Sequence, residues 1–327
     1  MTLRRAAGTV LARLLRSVLV LFGILAFNFL LLHAAGGDAA EVLAGESGAA
    51  DAAYVEALRH RFGLDQPLPV QFALYAGRVA VGDFGYSFRN GAPVLDLIWQ
   101  RLPATLLLSG TALALAVIVG VLCGALAARR ANSWVDDLIS ALATLGYAIP
   151  LFWAGLMLIV LFAVRLGWLP SGGYEDVGAG YTGAARALDI LRHLLLPAVT
   201  LALFTTALAT RIMRASMVEV LRTDYVRTAR AIGVAERRVL WRAAVPNAVL
   251  PLITVIGLQV ASLLGGAVLV ETVFAWPGLG RLAFEAVTAR DLNLLLGMLL
   301  LSSALVVATN AAVDLAYAAL DPRVRPA

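Results

Sequence analysis

Long stretches of this chain carry no charge, and their lengths are the first structural information it offers. Arg16 to Asp38 encloses 21 uncharged residues, and Arg101 to Arg129 and Asp137 to Arg165 enclose 27 each. Arg192 to Arg211 encloses 18, Arg242 to Glu271 encloses 28, and Asp291 to Asp314 encloses 22. A helix needs about 20 mostly apolar residues to cross a hydrocarbon core about 30 Å thick. Six runs meet or approach that length, the fourth least well. They predict membrane helices over about 17–37, 103–128, 138–164, 193–213, 247–270 and 292–314. The bilayer accounts for the pattern, because charge and unpaired backbone groups are costly there. Pro150, Pro197 and Pro251 fall in the third, fourth and fifth runs. Each removes an N–H and permits a kink, although membrane helices also tolerate proline. In the second run small residues recur every fourth position, at Ala112, Ala116, Gly120, Gly124 and Ala128. That spacing predicts a face for close helix packing.

The segments between the runs divide by charge. Residues 34–101 make a long loop that is expected to be partly helical. Ala49–Arg61 has helical spacing, and Gly63, Pro67 and Pro69 stop it. Arg4, Arg5, Arg13 and Arg16 precede Val18–Leu32, and small residues follow at Ala34–Gly37. This order has the form of a cleavable leader, but the long apolar stretch and an even helix count favour a retained helix. With the N-terminus inside, the inner segments hold 16 arginines and 7 acids, and the outer ones 10 and 14. The predicted topology therefore has six spans and both termini cytoplasmic.

Composition narrows the class. The chain is 61% hydrophobic and 14% charged, unlike a soluble globule. All 26 basic residues are arginine. Without lysine there is no P-loop for ATP and no Schiff-base chemistry. One cysteine, Cys123, excludes an internal disulfide, and His33, His60 and His193 are scattered too widely for a zinc motif. No basic stripe interleaved with aromatics points to nucleic acid. The span middles contain no Asp, Glu or Arg, which argues against an ion-coupled carrier. Their strongest polar groups, Asn28, His33, Asn247, Gln259 and Asn310, read as interhelical hydrogen-bonding residues. No catalytic constellation is evident, so work must come from outside the chain.

The longest internal connection, Arg211–Arg242, is where work would enter. Residues 224–251 read DYVRTARAIGVAERRVLWRAAVPNAVLP. Helical spacing runs through Tyr225–Ile232, Gly233 can make a tight turn, and a second helix is expected from Glu236. Val239, Leu240 and Ala243 would be its apolar stripe. Such an element suits docking in a partner's groove, although a basic loop lying on anionic headgroups would share the composition. The segment resembles the EAA loop of permease subunits of binding-protein-dependent ABC importers, with Arg227-Thr228-Ala229 followed by Gly233 in the E-A-A-x-x-x-G relation. Arginine first is the habit of the dipeptide/oligopeptide/nickel permease family. FGLDQPLPVQF (62–72), GDFGYSF (82–88), RLPATLLLS (101–109), PLFWAGLMLIVLFAVRLGWLPSGG (150–173), LLLPAVTLAL (194–203), ETVFAWPGLGRL (271–282) and LDPRVR (320–325) are similar to that family in order. Ile232 replaces the usual lysine, Pro246 interrupts the usual R-N-A text, and AAGGDAA after the first run departs from the family's wording.

The resemblance implies an all-α membrane protein: a six-helix type I ABC importer transmembrane subunit with a MetI-like core and an external loop after helix 1. Its parts would be residues 1–100, a transmembrane domain over 101–317 containing the coupling loop 215–246, and a cytoplasmic tail over 318–327. It also implies a non-catalytic subunit of the bacterial inner membrane. The partners would be a second permease, two cytoplasmic ATPase subunits that bind ATP-Mg, and an extracytoplasmic solute-binding protein. No cofactor belongs to the chain itself. The coupling residues would be Asp224, Tyr225, Arg227, Thr228, Ala229, Ala231, Gly233 and Arg238. Phe274, Trp276, Pro277, Gly278 and Gly280 are the candidates for the path or its gate, with an ordinary aromatic belt as the alternative for the two aromatics. Di- or oligopeptides rank first as cargo, ahead of nickel, glutathione or another small solute. An ion-coupled secondary carrier is the alternative of a different class.

Overall fold

The charge-free runs mark where membrane could lie, but not where helices stop. The computed structural model describes residues 15, 18–31, 33, 52–62, 65–87 and 89–320. The arginines before residue 15, the candidate leader cleavage region, Ala49–Asp51, Gly63 and the last seven residues lie outside the described residues. So does the side chain of Gln259.

Helices dominate what is described. They are α1 (Val18–Leu31), α2 (Ala52–Phe62), α3 (Leu68–Ala80), α4 (Val94–Arg129), α5 (Trp134–Ala148) and α6 (Leu151–Leu158). Helix α6 widens into π-helical turns over Ile159–Arg165. Then come α7 (Gly183–Val220), α8 (Asp224–Ala231), α9 (Glu236–Ala248), α10 (Leu250–Val273), α11 (Leu279–Ala289) and α12 (Leu292–Leu320). One hairpin pairs β1 (Tyr86–Ser87) antiparallel to β2 (Ala92–Pro93), with Tyr86 opposite Pro93. Pro69 sits in the first turn of α3, where its missing N–H costs nothing; it helps begin that helix rather than ending the one before.

Among the described residues, three helices are long and apolar enough to cross a membrane: Val94–Arg129, Gly183–Val220 and Leu292–Ala311. Two bent pairs raise the number to five if each is one span. The third charge-free run, expected as a single helix over 138–164, is broken. Helices α5 and α6 meet at 108°. Ile149 is extended, at φ −74 and ψ 129, as a residue before proline prefers, and Pro150 starts α6. Pro197 behaves differently and lies inside unbroken α7. Pro251 occupies the first turn of α10. Helices α4 and α7 both overrun their apolar stretches, because Asp96, Arg101 and Arg186 end the run of hydrophobicity without opposing helix.

The chain forms two units. One comprises residues 1–103 and 282–311. Within it Asn28, almost fully buried, donates to the Leu296 carbonyl at 3.2 Å. His33 bonds the Phe29 carbonyl at 2.9 Å and Gln71 at 3.0 Å. Both therefore tie elements together, as their place in an apolar run suggested. The Ser87 hydroxyl donates to Asp291, whose other oxygen accepts the Leu294 N–H at 3.0 Å and caps α12. Gly297 leaves no room for a side chain, since a Cβ there would lie 2.5 Å from Val94 Cγ1.

The other unit comprises residues 104–281 and 312–327. Its centre is the contact of α4 with α7. Ala112 and Ala116 are fully buried. A Cβ on Gly124 would sit 2.6 Å from Met213 Cβ and 2.8 Å from the Thr210 carbonyl oxygen. The four-residue spacing of small side chains is thus a real packing face. Asn247 bonds its own helix at the Ala243 carbonyl, and Asn310 is exposed.

Candidate functional site

The candidate coupling loop folds as the sequence suggests, with one change of register. Helix α8 starts after Thr223, carries Asp224 in its first turn, and buries Val226 while Tyr225 and Arg227 remain exposed. Gly233 follows at φ +78, a region that strongly favours glycine. Nothing lies within 4 Å of where its Cβ would be, so backbone conformation and not space demands glycine there. Arg230 and Glu236 close the turn with an ion pair of 2.7 Å. That bond holds the Glu236 carboxyl below its usual pKa. The pair's small contribution is therefore present at neutral pH and fades as acidification reaches the carboxylate range.

The second helix departs from the expected stripe. Val239, Leu240 and Ala244 are buried, and Ala243 is only half-buried. The reason is a π-helical turn over Val239–Ala244, in which the Val245 N–H reaches back to the Leu240 carbonyl. Pro246 has no N–H to continue an α-ladder, and the widened turn precedes it. Arg237, Arg238 and Arg242 line a shallow hollow of about 440 Å³ with Ala235 and Trp241. Ile232 is 74% exposed, an apolar side chain left in the open at the turn. Thus Asp224, Tyr225, Arg227, Thr228, Ala229, Ala231, Gly233 and Arg238 share one short helix–turn–helix element.

The ETVFAWPGLGRL segment makes a turn between α10 and α11. Phe274 and Trp276 are fully buried, so neither belongs to an aromatic belt at the headgroups. Phe274 packs with Trp276 and α7 residues in the core, and Trp276 donates its indole N–H to the Ala104 carbonyl at 2.9 Å. The positive φ falls on Ala275, at +51, and not on Gly278 or Gly280. Those glycines serve close approach. A Cβ on Gly278 would overlap the Glu271 carboxyl group, and one on Gly280 would lie 2.5 Å from Val268 Cα.

Sequence reasoning missed the residue that organises this turn. Glu271 is fully buried. It accepts from the Thr105 hydroxyl at 2.7 Å and from the Arg281 N–H at 3.0 Å. Thr105 in turn accepts the Leu279 N–H at 2.7 Å. The available signal was a carboxylate ending an apolar run with glycines seven and nine positions on. A second missed group is Asp136, 2% exposed in the first turn of α5. It receives Arg214 of α7 through two bonds of 2.5 and 2.6 Å. His33 is bonded as above, and His193 bonds the Asp189 carbonyl at 3.0 Å. Among the described residues no three His, Cys, Asp or Glu side chains are grouped to hold a metal ion.

Apolar helices long enough to span a bilayer, a sharply bent helix pair and an exposed basic helix–turn–helix define a multi-pass membrane protein. The chain belongs to the family of binding-protein-dependent transport system inner membrane components. Residues 120–326 match that family, and residues 8–109 match its N-terminal region. A probable peptide ABC transporter permease of Sinorhizobium fredii is 43% identical over 97% of this chain and 98% of its own length. A dipeptide transport system permease of Alkalihalophilus pseudofirmus is 38% identical over 96% and 98%. A glutathione transport system permease of Escherichia coli is 42% identical over 97% and 98%. Among solved structures, a chain of the MetNI methionine ABC transporter, in an inward-facing form, matches with a TM-score of 0.54. It is 18% identical over 69% of this chain and 96% of that one, a likeness of fold.

Proposed function

We propose that this chain is one half of the transmembrane path of an ABC importer for di- or oligopeptides. Two cytoplasmic ATPase subunits bind ATP-Mg and supply the work, a second permease completes the path, and an extracytoplasmic binding protein delivers the cargo. The chain itself performs no catalysis. Both termini lie in the cytoplasm, and residues 224–245 carry the motion of the ATPases into the bundle.

The observation that carries this reading is the α8–Gly233–α9 element. It pairs an exposed polar helix with a turn that only a left-handed residue can make, and it leaves Ile232 uncovered. Coupling requires contacts that differ between two states of the assembly, and a firm, exposed turn can make them. Relatives named for dipeptide, peptide and glutathione transport support a peptide-like cargo, glutathione itself being a tripeptide.

The test is Gly233→Val beside Gly233→Asn in a reconstituted complex. Valine at φ +78 costs about 1–3 kcal/mol, whereas asparagine tolerates the left-handed region. Gly233→Val is expected to reach the membrane normally and to lose peptide uptake and cargo-stimulated ATP hydrolysis. Gly233→Asn should keep most of both. Full uptake by Gly233→Val would reduce the loop to an anchor on anionic lipid.

A further inference from the structure

One arginine of the chain points the wrong way for a membrane boundary. Arg211 ends the fourth charge-free run, one helical turn before Arg214. Arg214 is paired with Asp136, whereas Arg211 has no carboxylate partner among the described residues. Its guanidinium instead lies over the Tyr147 ring, 5.5 Å from the centroid. Tyr147 stacks on Phe204 at 4.7 Å. Phe204 is seven residues earlier on α7, about 10 Å along the axis at 1.5 Å per residue. Side chains on a helix lean toward its N-terminus. In the proposed topology α7 runs from outside to inside, so Arg211 leans into the bilayer. A boundary arginine ordinarily snorkels to the nearer water.

The face it shares mixes aromatic and polar side chains. Arg211, Tyr147 and Phe204 are all exposed on this chain. Thr144 and Ser140 continue the stripe one and two turns down α5 toward Asp136, and the Thr144 hydroxyl donates to the Ser140 carbonyl at 2.8 Å. Directly above Tyr147 the helix breaks, bending by 108°. Pro150 offers no N–H to the Gly146 carbonyl. Irregular backbone at membrane depth persists only where it is buried in protein or lines water, and an unpaired cation there marks function by default.

We propose that the Arg211–Tyr147–Phe204 face lines the water-filled translocation path, and that Arg211 contacts the cargo there, its guanidinium taking a carboxylate of the passing peptide. The inference rests on the peptide-importer reading. The planar fork offers two parallel donors to a carboxylate, and the Tyr147 ring holds that fork in place through the cation–π contact. An exposed pair of this kind is firm enough to guide cargo and weak enough to release it.

The experiment uses the whole complex in proteoliposomes. Arg211→Cys in a Cys123→Ala background is exposed to a charged, membrane-impermeant thiol reagent, with and without peptide during ATP turnover. Modification is expected, and peptide should slow it. No modification would place the face against lipid or the second permease, and modification indifferent to peptide would remove the cargo contact; either overturns the proposal. In parallel, Arg211→Gln should lower uptake of a peptide with a free C-terminal carboxylate about tenfold, the effect of losing one charge-assisted contact. Arg211→Lys, which keeps the charge but loses the fork and its stacking on Tyr147, should fall between Arg211→Gln and the wild type. Unchanged uptake by Arg211→Gln overturns the role of Arg211 alone. A wild-type complex that moves no peptide overturns the cargo reading beneath it.

Discussion

At the scale of single residues, the glycines divide by the reason for their presence, and that division was only partly legible. Gly233 was readable: a glycine between two helical stretches announces a turn, and its φ of +78 bears out that turn. Gly278 and Gly280 are required by what stands against them, which spacing does not reveal. What stands against Gly278 is Glu271, whose burial depends on Thr105, 166 positions away. A carboxylate at the end of an apolar run reads as a boundary marker until that partner is known. Glu271→Ala would leave the Arg281 N–H and the Thr105 hydroxyl without their acceptor. Each buried donor left unpaired costs roughly 1–3 kcal/mol. A lowered melting temperature in detergent is expected for Glu271→Ala, with a smaller loss for Glu271→Gln, which keeps an acceptor for Thr105. Equal stability of the alanine variant and the wild type would deny the turn its anchor.

At the scale of elements, period and composition found the helices but misplaced their ends. The bilayer selects against charge, whereas helix termination depends on caps, prolines and packing. Hence α4 and α7 continue past Arg101 and Arg192. The break at Pro150 was visible as a proline, but nothing local distinguished it from Pro197, which α7 absorbs. The packing face of α4 was the most legible feature, because close approach needs small side chains at a fixed interval. It also gives a matched pair of substitutions on one helix. Gly124→Leu must displace Met213 and the Thr210 backbone, whereas a Cβ at exposed Gly110 meets nothing within 4 Å. Gly124→Leu is expected to abolish a monodisperse folded peak in size-exclusion chromatography, and Gly110→Leu to preserve it. Similar behaviour of the two would mean that α4 and α7 are not held together at this face.

At the scale of the whole molecule, charge asymmetry governs the expectation of orientation. Reporter fusions after residues 60, 132, 180, 228, 284 and 326 should alternate outside, inside, outside, inside, outside, inside. The fusions at 132 and 180 are the most informative, because the 108° bend lies between them. The same side at both would make α5 and α6 a re-entrant pair and reverse every later assignment. The widened turn at Val239–Ala244 has a consequence at this scale as well. One residue added to a regular α-helix rotates everything beyond it by about 100°. A turn with five-residue spacing takes up such an addition without passing the rotation on. The buried side therefore stays continuous through the turn, from Leu240 and Ala244 to Ala248 and Leu252, which pack in one apolar cluster.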